Sequence, residues 1–229
     1  MGIYVGNKRY APYVGDKRRR YMGGGSSLPY DAEIEYLEST GTQWIDTGIY
    51  PTTELSYEIT LQRTQSSAGD EVAFGCRKLS YGTNEDFSLW TNPASGKGFA
   101  SHYAYTPSVA EDSGWVFKND ILSSFRKVHI TPQTISVDDV VYYTWSHQER
   151  TPFTSTASLG VFCLKLTSVT DSRKFIGRIS AVKIWDADNL VFDAIPVRVG
   201  QIGYLYDKVS GTLFGNAGTG SFTLGPDKT

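Results

Sequence analysis

Few residues in this sequence are spaced for catalysis. The three histidines, His102, His129 and His147, stand far apart and form no His-Glu-x-x-His pair, so zinc hydrolysis has no support. There is no Gly-x-Ser-x-Gly elbow, and neither cysteine, Cys76 or Cys163, sits in a nucleophile motif. Two cysteines are too few for a disulfide framework and have no metal-ligand spacing, so both are expected as buried thiols. The stretch Gly215-Asn216-Ala217-Gly218-Thr219-Gly220 has the glycine density of a phosphate cradle. It lacks the following Lys-Ser/Thr and the strand–helix context, and reads as a loop. No catalytic and no metal-binding residue is assigned, and the expected class is not an enzyme.

Carboxylates and aromatic rings remain. Glycoside hydrolysis needs two carboxyls roughly 5–10 Å apart across a cleft. Glu33 and Glu35 share a face if they lie on a strand, but they read as a solvated face. Asp70-Glu71, Glu85-Asp86, Glu111-Asp112 and Asp138-Asp139 are adjacent pairs in turn-like contexts, where carboxylates cap the backbone. None makes a Glu-x-Asp-x-x-Glu arrangement. Asp186, Asp188 and Asn189 cluster hard oxygens, as does Asp138-Asp139, but calcium takes about 6–8 ligands and these turns supply only some. No cofactor is therefore expected, with calcium the one ion these turns would partly suit. Trp90 and Trp115 sit in loop-like surroundings, and Tyr142, Tyr143, Trp145 and His147 follow a hairpin. Aromatic planes stack on sugars and also fill cores and interfaces. Trp90, Trp115 and Trp145 are the residues that would bind a glycan.

The elements that must position these residues are strands. Leu55 to Gln62 alternates apolar and polar residues, a half-buried strand. Lys127–Thr131 and Thr134–Asp138 read as a hairpin around Pro132-Gln133. Leu159 to Leu166 is apolar on both faces apart from Gly160 and Lys165, which suits a covered central strand with Cys163 in the core. Ile179–Trp185 turns at Asp186–Asn189 and returns through Leu190–Ile195, with Pro196 ending the pairing. Shorter strands follow around Ile202–Tyr206, Thr212–Phe214 and Ser221–Leu224. Asp31–Glu38 and Lys118–Phe125 have the spacing of one or two helical turns. Many short strands separated by turn signals specify an all-β protein, an antiparallel β-sandwich or jelly roll.

Charge divides the 229 residues unevenly. Residues 1–25 carry Lys8, Arg9, Lys17, Arg18, Arg19 and Arg20 against Asp16, a net of +5, so with −2 overall the remainder holds −7. Within the head, Tyr4-Val5-Gly6-Asn7-Lys8-Arg9 recurs as Tyr13-Val14-Gly15-Asp16-Lys17-Arg18. Gly-Asn and Gly-Asp are hairpin-turn dipeptides, so each copy predicts a small hairpin. A head of this size buries too little apolar surface to order itself, and the repeat points to a segment that folds by adding strands to a partner. Tyr4, Val5, Lys8, Arg9, Tyr13, Val14, Lys17 and Arg18 would form that anchor. A disordered basic tail and a nucleic-acid arm are the other readings of the head, the last disfavoured by the acidic body. The expected organisation is an anchoring repeat over 1–22, a Gly/Ser linker over 23–30 and a sandwich domain over 31–229. No apolar run approaches the roughly 20 residues of a membrane span. The first residues lack a secretory signal, so assembly in a cytoplasm is expected.

Two segments carry a resemblance. Glu35-Tyr36-Leu37-Glu38-Ser39-Thr40-Gly41-Thr42-Gln43-Trp44-Ile45-Asp46-Thr47-Gly48 resembles the opening of concanavalin A-like, laminin-G-like jelly rolls of tailed phages and prophages of gut bacteria. The closing segment is similar too, from Gly177-Arg178-Ile179 through Asp193-Ala194-Ile195-Pro196-Val197-Arg198 and Gly203-Tyr204-Leu205-Tyr206-Asp207 to Phe214-Gly215-Asn216-Ala217-Gly218-Thr219-Gly220. The head repeat is similar to N-terminal anchors of virion proteins, including those of crAss-like phages. The resemblance implies a virion structural protein, a head fibre, decoration or tail component, assembled in a host cytoplasm and partnered by other virion proteins. Homo-oligomers and host-surface glycans are its further implied partners, with neither membrane nor nucleic acid among them. A lectin-like module is the alternative and a glycan hydrolase the more remote one. The resemblance supplies no catalytic residues.

Overall fold

The structure is a computed structural model in which residues 4–5, 8–9, 28–65, 69–80, 83–92, 98–116, 123–146, 149–167 and 173–229 are described. The head contributes β1 (Tyr4–Val5) and β2 (Lys8–Arg9), paired antiparallel with Tyr4 opposite Arg9. The first repeat thus forms the hairpin its Gly-Asn dipeptide predicts. The second copy, Tyr13 to Arg18, lies outside the described residues, as does His147.

The body is an antiparallel β-sandwich. Its first half runs β3 (Ala32–Glu33), β4 (Leu37–Thr40), β5 (Ile45–Asp46), β6 (Leu55–Arg63), β7 (Glu71–Ser80), β8 (Thr83–Asn92), β9 (Gly98–Thr106) and β10 (Val109–Asp112). The second half runs β11 (Arg126–Ile130), β12 (Thr134–Val137), β13 (Val140–Thr144), β14 (Gly160–Val161), β15 (Lys165–Leu166), β16 (Ile176–Asp186), β17 (Asn189–Val199), β18 (Ile202–Asp207), β19 (Thr212–Phe214) and β20 (Thr223–Leu224). An eleven-stranded sheet is ordered β13-β12-β11-β6-β16-β17-β18-β19, with β4 added at β16, β20 at β4 and β3 at β17. A seven-stranded sheet is ordered β10-β9-β8-β7-β14-β5, with β15 beside β7.

Alternation decides which residues meet between the sheets. Every second residue of β6 is buried, from Leu55 through Tyr57, Ile59 and Leu61. They face Phe74, Phe87 and Tyr103 of the smaller sheet, with the Tyr57 and Phe74 rings 4.5 Å apart. Tyr103 donates its hydroxyl to Leu55 O at 2.6 Å and so satisfies its one polar group inside the core. Cys76 and Cys163 are both buried free thiols.

Three expectations are corrected. Leu159–Leu166 is broken: Phe162 has φ of 67°, so β14 stops and β15 resumes alongside β7 in parallel. Pro196 lies inside β17; it marks where pairing with β16 ends, since β3 takes that edge at Val197 and Arg198 while β18 pairs throughout. Asp31–Glu38 holds β3 and the start of β4 instead of helical turns, because Ile34 N and Glu35 N bond Pro196 O and Pro226 O across the sheet. Of the helical turns expected over Lys118–Phe125, residues 118–122 lie outside the described residues, and Ser123 is in a 3₁₀ turn.

The opening and closing segments meet. Leu37 pairs with Leu224 and Glu38 with Thr223, while the glycine-rich loop folds over Thr42–Trp44 through Ala217 N to Trp44 O at 2.8 Å. Gln43, buried, bonds Thr40 N and Ser221 O with its two amide atoms. A Cβ on Gly218 would stand 2.1 Å from Thr42 O, so no side chain fits this approach. Gly218→Ala is expected to destabilise by about 1–3 kcal/mol, measured as a fall in the thermal unfolding midpoint. An unchanged midpoint would mean the loop does not pack here.

Candidate functional site

The most unusual surface lies on the outward side of the seven-stranded sheet. On β8, Phe87 and Leu89 point into the core, so Asp86, Ser88 and Trp90 point the other way. The register carries the row across four strands. Gly75 of β7 stands opposite Ser88, Ser88 opposite His102 of β9, and His102 opposite Asp112 of β10. Arg77 stands opposite Asp86, one step along. Gly75 is required there, since its φ is 147° and a Cβ would lie 2.4 Å from Phe87 O.

Asp86 is the hub. Its Oδ2 accepts Arg77 Nε at 2.6 Å and His102 Nδ1 at 2.8 Å, and its Oδ1 accepts the Ser88 hydroxyl at 2.6 Å. Ser88 Oγ in turn accepts Trp90 Nε1 at 2.7 Å. Arg77 and Arg173 both stand over the indole, their guanidinium carbons 4.9 and 5.1 Å from its centroid. The row opens toward β10: side-chain exposure rises from 4% at Asp86 to 22% at His102 and 61% at Asp112.

Buried charges persist only when paired, and the pairing sets their protonation. Burial alone would raise the Asp86 pKa; the hydrogen bond and charge of His102, with Arg77 and Ser88, hold it below its ordinary value. Burial alone would lower the His102 pKa; the hydrogen bond and charge of Asp86, then Asp112, outweigh burial and the opposing Arg77 and raise it.

The three tryptophans part company. Trp90 is a strand residue, not a loop residue, and is 6% exposed at the centre of the network. Trp115 is half-buried and packs with Leu166 against Val72, Trp90, Ala100 and Leu164. Trp145 is 1% exposed; it packs on Tyr143, Tyr103 and Tyr105 and donates Nε1 to Thr131 O, so it offers no face to solvent. Sequence reasoning missed Arg77, Asp86, Ser88 and His102. Glu85-Asp86 and Glu111-Asp112 lie within strands rather than turns, and the Asp86-x-Ser88-x-Trp90 alternation was the signal.

Elsewhere the carboxylates do structural work. Asp138 and Asp139 form the positive-φ turn between β12 and β13, with Asp138 Oδ1 accepting Lys127 N. Asp186 Oδ1 accepts the Thr52 hydroxyl at 2.6 Å. Tyr30 donates its hydroxyl to Glu33. Among the described residues no three His, Cys, Asp or Glu side chains are grouped to hold a metal ion. His129 lies on the outer side of the larger sheet beside Trp185, and burial lowers its pKa. Ser88 is sealed and both donates and accepts hydrogen bonds, which leaves its oxygen no path to an electrophile. What reaches solvent is a hydrogen-bonding edge, His102 and Asp112, beside Trp115 and the exposed Arg173.

No family model matches the chain, and no curated protein matches it. Among solved structures the chain is similar to Ruminococcus gnavus IT-sialidase CBM40, both in a form bound to alpha2,3 sialyllactose and in a second form. In each case identity is 10%, the match covers 69% of this chain and 88% of the other, and the TM-score is 0.42.

Removing the hub tests the network. Asp86→Ala leaves Arg77 and His102 without their shared acceptor and is expected to cost about 3–5 kcal/mol, read by denaturant unfolding. A loss below about 1 kcal/mol would show that solvent already satisfies both cations.

Proposed function

We propose that this chain is a non-catalytic carbohydrate-binding β-sandwich, displayed on a bacteriophage particle through its N-terminal repeat. One observation carries the binding half: the buried Arg77–Asp86–Ser88–Trp90 network on the outward side of a sheet, which ends on His102 and Asp112 at the surface. An outer sheet face needs only simple polar side chains to be soluble. Burying an arginine–carboxylate pair there costs several kcal/mol of desolvation before pairing returns it. Such a cost is reasonable where side chains must be held rigid for a ligand. Rigid polar groups beside aromatic surface suit a sugar, whose ring faces are apolar and whose edges carry hydroxyls.

The displayed half is supported by the head. The β1–β2 hairpin is only two residues per strand, below what stands alone in water. Its sequence includes Lys8 and Arg9, on a chain whose remainder is acidic. Strand addition to a virion partner, with basic side chains on carboxylates, supplies both the missing strands and the counter-charges. Attachment in many copies raises avidity for a repetitive glycan surface, so weak single sites suffice.

On a glycan array the full chain is expected to bind, and Trp115→Ala or Arg173→Ala to weaken that binding roughly tenfold, about 1.4 kcal/mol. Absence of binding to every glycan would reject the carbohydrate reading. Deleting residues 1–25 should leave array binding intact and abolish incorporation into particles. Normal incorporation of the truncated chain would reject the anchor.

A further inference from the structure

We propose that Asp112 and His102 are the hydrogen-bonding pair of this site, and that they take one hydroxyl of a neutral saccharide between Asp112 Oδ2 and His102 Nε2. The inference rests on the carbohydrate reading and assigns its polar contact. Asp112 is fixed by its own loop: Oδ1 accepts Gly114 N at 2.8 Å, which leaves Oδ2 turned to His102. His102 is fixed from behind: Nδ1 stands 2.8 Å from both Asp86 Oδ2 and Arg77 Nη2, and of the two only the carboxylate can accept the Nδ1 proton of the imidazolium, while the ring lies edge-on to Trp90 at 5.7 Å.

Oδ2 and Nε2 then stand 3.4 Å apart. A charge-assisted bond between such groups closes to about 2.7–2.9 Å when nothing opposes it. Asp112 is exposed and His102 partly so, and both are held from the other end, so the pair remains splayed. A hydroxyl is at once donor and acceptor, so it accepts from Nε2–H and donates to Oδ2. A ligand carboxylate would meet Asp112 instead, which favours a neutral sugar over an acidic one.

This pairing makes binding depend on the His102 proton. The charged groups facing the ring are Asp86 from β8, Asp112 from β10 and Arg77 from β7, while Arg173 stands over the neighbouring Trp90 ring, 5.1 Å from its centroid. Two carboxylates against the nearer arginine favour the imidazolium, whose native pKa lies above the ordinary 6.5. While Nε2 carries its proton the pair is donor and acceptor. Once it is lost, both atoms are acceptors and a hydroxyl can donate to only one. Affinity should therefore be full at low pH and fall as pH rises through the native His102 value.

The test is calorimetric titration of the full chain with lactose, mannotriose and laminaritriose from about pH 5 to 9. At pH 6, Asp112→Asn and His102→Ala are expected to weaken binding roughly tenfold. His102→Gln, which keeps an N–H donor at every pH, should restore most of the affinity and flatten the pH profile. Imidazole nitrogen NMR of the unliganded protein reads the proton directly, with His102→Gln identifying the resonance. Binding that ignores both substitutions and pH, or a His102 neutral at pH 6, overturns this inference and leaves the carbohydrate reading standing. Failure of the wild type to bind any glycan on the array overturns both.

Discussion

The arrangement depends on one carboxylate kept ionised out of water. Asp86 sits on the outward side of β8, yet it is almost wholly covered and receives hydrogen bonds from Arg77, His102 and Ser88. A single buried charge is prohibitive; a fully bonded one becomes a rigid node, because every donor that turns away leaves an uncompensated ion. The node orients three side chains from three strands. Through Ser88 it fixes the indole of Trp90, and through Nδ1 it fixes which nitrogen of His102 faces solvent. A change at Asp86 would thus be felt at the surface without any surface atom being altered.

The sandwich was legible in the sequence because its signal is local. The β6 alternation and the β11–β12 and β16–β17 hairpins need only neighbouring residues to be recognised. The network was not legible, for a physical reason. Alternation says that Asp86, Ser88 and Trp90 share the face opposite Phe87 and Leu89, but not whether that face meets water. Its covering comes from Leu164 and Arg173, some 75 to 85 residues along the chain, and its partners from β7 and β9. The tryptophans fail for the same reason. Trp145 and Trp115 both follow short strands, and only tertiary contact sends one into the core and leaves the other at the rim.

The two segments that look most distinctive in the sequence serve the fold rather than the site. The turn after Tyr206 is built on Asp207, buried, whose carboxylate accepts Asp193 N, Val209 N and Ser210 N. The Gly215–Gly220 loop lies on Thr42–Trp44 with no room for a Cβ at Gly218. Such residues are constrained because backbone approaches backbone there, which is a different demand from holding a ligand. Recognisable motifs and the residues of the candidate site accordingly occupy different parts of one chain.

How the site gains its geometry at an open edge is answered by β10. Edge strands are held on one side only and tend to fray. Here Glu111 and Asp112, adjacent on β10, point to opposite sides. Glu111 reaches inward to accept Tyr143 Oη at 2.9 Å and Ser146 N at 3.0 Å, tying this edge to the β13 edge of the other sheet. Asp112 reaches outward to His102. The tie between sheets therefore sets the height of β10, and with it the separation of the Asp112 and His102 atoms that face solvent. Two adjacent carboxylates divide the work: one closes the side of the sandwich, and the other is left facing His102 and solvent.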